Sequence, residues 1–152
     1  MSQQLLIGLL SLLILFLASR TTASMSTSEI TSLITNKLIA AGYGTQQAIY
    51  WSKVSKLETG YFTSTLCKKY NNLFGMMWDQ DVSHRYIQTS NGKFEWPETL
   101  ADSVDLQIEY LHRFNYPHEF YSLSEFVNFL KSKNYFGTET ADSYFKKLNS
   151  IR

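Results

Sequence analysis

Glu58 is followed by Thr59-Gly60, then by Thr63-Ser64, and then by the dense block Asn71-Asn72-Leu73-Phe74-Gly75. The residues before it carry helical periodicity and Gly60 is a natural helix stop, so Glu58 falls at a helix C-terminus. A carboxylate there faces the negative end of the helix dipole. Partial burial would add a desolvation cost, and both effects favour the protonated form. A carboxylic acid that keeps its proton near neutrality is a general acid, the group that protonates the leaving oxygen of a glycosidic bond. From position alone, a solvated helix-end glutamate is the competing account, because most glutamates are exposed. The large apolar residues and the paired asparagines nearby are more than a solvated loop needs.

Other chemistries have weaker support. Cys67 is the only cysteine, so no internal disulfide forms. With His84, His112 and His118 it offers a formal Cys/His nucleophile set, but in "STLCKKY" it reads as a small buried residue on a short helix. No C-x-x-C or H-E-x-x-H pattern occurs, so no metal site is expected. The formal net charge of +1 gives no electrostatic case for nucleic acid. Ten Tyr, ten Phe and three Trp supply far more aromatic surface than one helix-end site requires. Most of it belongs to a core, and a few rings, Trp78 among them, are candidates for stacking on the C–H face of a sugar.

The elements that must position Glu58 are mainly helical. Ile30, Leu33, Ile34, Leu38 and Ala41 follow helical spacing, with Ser28 as candidate N-cap and Gly42 and Gly44 as the stop. Thr45 is the candidate cap of a second helix running to about Glu58, with Ala48, Trp51, Val54 and Leu57 near one face. Ser64 caps a short third helix, Thr65 to Tyr70. From Met76 to Trp96 the pattern changes to two β-prone runs around Asn91-Gly92, a hairpin signal, which Pro97 ends. Val104, Ile108, Leu111 and Phe114 mark a helix from about Leu100 to Phe114. After Pro117, Ser122 and Glu125 form a capping box ahead of Leu123, Phe126, Val127 and Leu130. Thr140 caps a last helix containing Tyr144, Phe145 and Leu148. The fold class is therefore mainly α, one domain over residues 28–152, with a single small β-hairpin inserted after the third helix.

Residues 1–24 stand apart. Leu5 to Ala18 form an apolar run that is short for a membrane span and suited to the core of a secretory signal. Thr21-Thr22-Ala23 offers small residues for cleavage, but the leading "MSQQ" lacks a basic side chain and Arg20 lies beyond the run. A signal peptide and a membrane anchor both remain open. Either one expects a domain that works outside the cytoplasm, secreted or held at a membrane.

The Glu58-Thr59-Gly60, Thr63-Ser64 and Asn71-Asn72-Leu73-Phe74-Gly75 series resembles the signature of the glucosaminidases of glycoside hydrolase family 73. These are lysozyme-like domains of autolysins, phage lysins and flagellar-rod hydrolases. The similarity extends loosely through "FEWPETLADSVDLQIEYL" to "NYFGTETADSYFKKL", where Tyr135, Thr138 and Tyr144 are in step. The resemblance implies a lysozyme-like helical fold, a peptidoglycan glycan strand as substrate, no cofactor, and Glu58 as general acid. It also implies that Asn72, Phe74, Gly75, Trp78 and Tyr135 line or contact the sugar. Leu73 and Phe74 are expected to pack inward, while Asn72 and Gly75 present polar or backbone groups. For a second acid the candidates are Glu95, Asp79 and Asp81, none in a matching motif. An inverting reaction needs such a base roughly 6.5–9.5 Å away, whereas a substrate-assisted one uses the sugar's own 2-acetamido group. The second is favoured because no second acid stands out. The expected bond is the β-1,4 link from N-acetylglucosamine to N-acetylmuramic acid. A muramidase or lytic transglycosylase on the same fold, and a non-catalytic wall-binding or virion protein, are the alternatives.

Overall fold

The computed structural model describes residues 25–78 and 85–152. The apolar run at Leu5–Ala18, and Asp79, Asp81 and His84, lie outside the described residues. Among the described residues no helix is long and apolar enough to cross a membrane. Six helices and one hairpin follow in the order α1 (Thr27–Ala40), α2 (Thr45–Thr59), α3 (Thr65–Tyr70), β1 (Tyr86–Thr89), β2 (Gly92–Glu95), α4 (Leu100–Arg113), α5 (Leu123–Ser132) and α6 (Ala141–Ser150). The architecture is mainly α with a two-stranded antiparallel insertion, a lysozyme-like arrangement.

Helix α2 is the central strut. It packs on α1, α5 and α6, and α1 packs in turn on α4. Trp51 is fully buried at its middle, edge-on to Phe126 at 5.3 Å and to Tyr135 at 5.6 Å. Ile34 and Leu38 of α1, Val104 and Leu111 of α4, and Leu130 of α5 complete the surrounding core. The polar residues on the buried face of α2 are matched to carbonyls: Gln47 donates to Pro117 O and Ser55 to Leu73 O. Leu57, expected on that face, is only partly buried, because the row that turns inward there carries Ser55 and Thr59.

Several ends differ from their sequence signals. The cap of α1 is Ser26 rather than Ser28, since only Ser26 sits three residues before Glu29 and exchanges both bonds of a capping box with it. Helix α2 starts from Gly44, with Thr45 already helical. At α5, Ser122 accepts the Glu125 N–H, but the Glu125 carboxylate reaches back one residue further, to the Tyr121 N–H, so the reciprocal box is not closed. Thr99 and Asp102 form a full box at α4 that the sequence reading passed over. In the hairpin Thr89 pairs with Gly92, so the two turn residues are Ser90-Asn91 and Gly92 opens β2 with φ 123°. Ser64 and Thr140 cap α3 and α6 as expected.

Candidate active site

The C-terminal end of α2 is fixed by its own side chains. Gly60 takes the left-handed conformation and the Tyr61 N–H returns to Lys56 O at 2.7 Å. Thr59, buried, donates to Ser55 O and accepts the Phe62 N–H at 2.9 Å. This pins the turn that follows and sets the direction of Glu58.

Opposite lies the Asn71–Gly75 turn. Asn71 is the left-handed cap of α3, and its amide donates to Glu98 O at 2.8 Å. Asn72 is completely buried: its amide donates to Met76 O and Glu95 O, at 3.0 and 3.1 Å, and accepts the Met76 N–H at 2.9 Å. Every polar direction used is turned toward backbone, so Asn72 is the bolt between turn and hairpin, not a sugar ligand. Met76 to Trp78 then runs beside β2, through Glu95 N–H to Met76 O and Trp78 N–H to Lys93 O, both 3.0 Å. Gly75 has φ 64°, and a Cβ there would stand 3.9 Å from Glu58 Cβ and 4.0 Å from its Oε2. Those are ordinary contact distances, so it is the left-handed backbone, not lack of space, that favours glycine in this turn beside the carboxyl group.

Between the turn, the hairpin, α4 and the segment before α6 is a cleft of ≈ 740 Å³. Glu58, Gly75, Trp78, Glu95, Tyr135 and Tyr144 all line it. Glu58 keeps an open surface toward the cleft while protein crowds its other sides. That crowding raises its pKa above the ordinary carboxylate value and outweighs the opposing hydrogen bond from Tyr144. The nearby Glu139 carboxylate raises it further and Lys147 lowers it. The Tyr144 hydroxyl donates to Glu58 Oε1 at 2.9 Å; Tyr144 is 2% exposed and its ring is stacked by Phe136 at 4.1 Å. A neutral phenol can donate to either protonation state of the acid, fixing the carboxyl rotamer without fixing its charge.

Of the other residues expected at the site, Phe74 is 3% exposed and packs edge-on to Trp51 at 6.4 Å, so it forms floor rather than a stacking surface. Trp78 is partly buried, with Tyr86 at 4.8 Å and the Lys93 ammonium over its ring at 4.7 Å. Tyr135 is partly buried; its hydroxyl is pushed well above its ordinary pKa by burial first and the Glu58 charge second. Glu95 closes β2, 2% exposed, on the same cleft as Glu58. The cleft lining among the described residues holds no cysteine or histidine; Cys67 is buried in the core, and burial raises its thiol pKa. Among the described residues no group of histidine, cysteine and acidic side chains is arranged to hold a metal.

Nothing in the sequence ties Tyr144 or Glu139 to the acid. Tyr144 carried an apolar-face signal and a place in the family-like closing segment, but neither pointed to Glu58, which is 86 positions away in the chain. Glu139, Ser143 and Lys147 recur every four residues, a spacing that puts them on one face and was the signal available for that cluster. The α4 wall, Gln107, Tyr110 and Phe114, is also a one-face row.

A family model described as "Glucosaminidase: Mannosyl-glycoprotein endo-beta-N-acetylglucosaminidase" matches residues 37–152, a span that contains every residue of the cleft. No curated protein and no solved structure matches the chain.

Proposed function

The chain belongs to the glucosaminidase family and is a glycoside hydrolase acting on peptidoglycan, and from that premise we propose that Glu58 is its general acid on the β-1,4 link from N-acetylglucosamine to N-acetylmuramic acid. The observation that carries the reading is a single carboxyl group, open to a cleft, crowded enough to favour its proton, and held by the Tyr144 hydroxyl at 2.9 Å. Such a group has the reach a general acid needs, and burial shifts its pKa upward, the direction that role requires. Gly75 lines the cleft beside it, and Trp78 supplies an aromatic wall of the kind that receives a sugar's apolar face.

The reaction is substrate-assisted in this reading. Glu58 protonates the glycosidic oxygen, the 2-acetamido carbonyl oxygen attacks the anomeric carbon, and water later opens the resulting ring. Tyr135 is assigned the orienting of the acetamido group in this reading, supported by its place on the same cleft as Glu58. The domain works outside the cytoplasm, where its substrate is, and the apolar run Leu5–Ala18 is the segment that takes it there.

The test is digestion of purified cell wall followed by analysis of new ends. The expected product is free N-acetylglucosamine reducing ends. Muramic acid ends would make the enzyme a muramidase, and anhydro-muramic ends a lytic transglycosylase. Glu58→Gln keeps the shape of the side chain but has no proton to give, so the rate should fall by about 10²–10⁴-fold. Undiminished clearing of walls by that variant would remove Glu58 from the mechanism.

A further inference from the structure

Glu139 stands on the cleft with Glu58 and belongs to no motif in the sequence. It lies just before α6, and both of its anchors converge on one oxygen: the Ser143 hydroxyl donates to Oε1 at 2.6 Å and the Lys147 ammonium lies 2.7 Å from it. Its backbone carbonyl accepts from Lys131 Nζ at 2.8 Å, and the same ammonium donates to Gly137 O at 2.6 Å, so the loop is tied to α5 as well. Oε2 has no hydrogen bond among the described residues. Held this way, the carboxylate keeps one orientation and stays ionised: Lys147 and then Ser143 keep it below the usual carboxylate range. Glu58, in the same cleft, is pushed the other way. Two carboxyl groups driven apart in acidity within one cleft are how acid and charge-bearing roles are divided. Access separates Glu139 from Glu95, for its side chain is 25% exposed where Glu95 is 2% exposed.

We propose that Glu139 is a catalytic residue, the carboxylate whose Oε2 accepts the N–H of the substrate's 2-acetamido group and balances the positive charge that develops there. The proposal rests on the substrate-assisted reading above. As the Glu58 proton moves to the glycosidic oxygen, the acetamido oxygen bonds to the anomeric carbon and the old C–O bond breaks, its electron pair leaving with the alcohol. The oxazolinium ion so formed carries its charge on the N–H beside Glu139. Water then adds to the anomeric carbon, the ring reopens to the acetamide, and the water's proton restores Glu58. Glu139 neither gains nor loses a proton over the cycle.

The experiment compares wild type, Glu139→Gln, Lys147→Met and Glu58→Gln for wall hydrolysis against pH, for thermal melting, and for calorimetric binding of N-acetylglucosamine-thiazoline, a stable mimic of the cyclised sugar. Glu139→Gln retains an acceptor for Ser143, and its melt shows whether the fold persists. Its kcat should fall by about 10²-fold, the scale of losing one preorganised electrostatic contact, with KM little changed. Its thiazoline affinity should fall at least tenfold, on the order of one charge-assisted contact. The charged and titratable groups around Glu139 are Lys131, Lys147, Glu58 and Tyr144. Removing Lys147 raises both carboxyl pKa values, so both limbs of the pH profile should move upward. If Glu139 only tuned Glu58, the basic limb alone would move, which overturns the proposal. It is also overturned if Glu139→Gln keeps kcat within threefold of wild type, or loses kcat with thiazoline affinity unchanged. In each of those cases an inactive Glu58→Gln leaves the general-acid reading standing, while an active Glu58→Gln removes that reading itself.

Discussion

At the residue scale, the acid at Glu58 depends on one phenol. Tyr144 stabilises the ionised carboxylate more than the neutral acid, so its hydrogen bond pulls the Glu58 pKa down against the larger effect of crowding. Tyr144→Phe removes that restraint, and the Glu58 pKa should rise. As the proposed general acid Glu58 acts in its protonated form, so on that proposal the basic limb of the pH–rate profile should shift upward. The rate at the optimum should fall, because the carboxyl rotamer is no longer held. The stability cost should be about 0.5–1.5 kcal/mol, since one side of the bond faces cleft water. A pH profile and a melt on the same sample check both. A basic limb that stays in place would separate Tyr144 from the acid's ionisation.

At the element scale, the hairpin is attached to the helical body through Asn72. Asn72→Ala leaves the Met76 N–H and the Met76 and Glu95 carbonyls without their side-chain partners in a buried site. It should destabilise the fold by about 2–4 kcal/mol, measured by denaturant unfolding. A loss under about 1 kcal/mol would mean that water or a shifted backbone takes over those bonds. How much of this was legible in the sequence depended on range. Helix periodicity, the Gly60 stop and the caps at Ser64 and Thr140 are local, and they read correctly. The paired asparagines were visible as unusual, but whether Asn72 turned to sugar or to backbone depended on where Glu95 O would lie, which no local rule specifies. Ser26 was missed as a cap because serine recurs at Ser24, Ser26 and Ser28, and only the pairing with Glu29 separates them. The pairing of Tyr144 with Glu58 was hidden for the same reason as that of Asn72 with Glu95: its two halves belong to different elements.

For the whole molecule, the crowded acid has a thermodynamic signature. A carboxyl group whose pKa is higher in the folded state contributes stability that is fully present below its unfolded pKa and is lost as pH rises through the folded one. Glu58 therefore works against the fold at neutrality, while Glu29 and Glu139, whose values are lowered, contribute stability that is lost on acidification. The melting temperature of Glu58→Gln minus that of wild type should grow as pH rises from about 4 to 7. A flat difference across that range would show that folding does not perturb the acid. The hydrogen bond that steadies Glu58 joins residues 86 positions apart and closes only when α6 docks on α2. Contacts of such separation form late, because the loop between them must first lose its freedom. Until they do, Glu58 is an ordinary solvated glutamate on an isolated helix. An unfolded chain thus carries the carboxyl group without the surroundings that favour its proton, and completion of the tertiary structure is what assembles them.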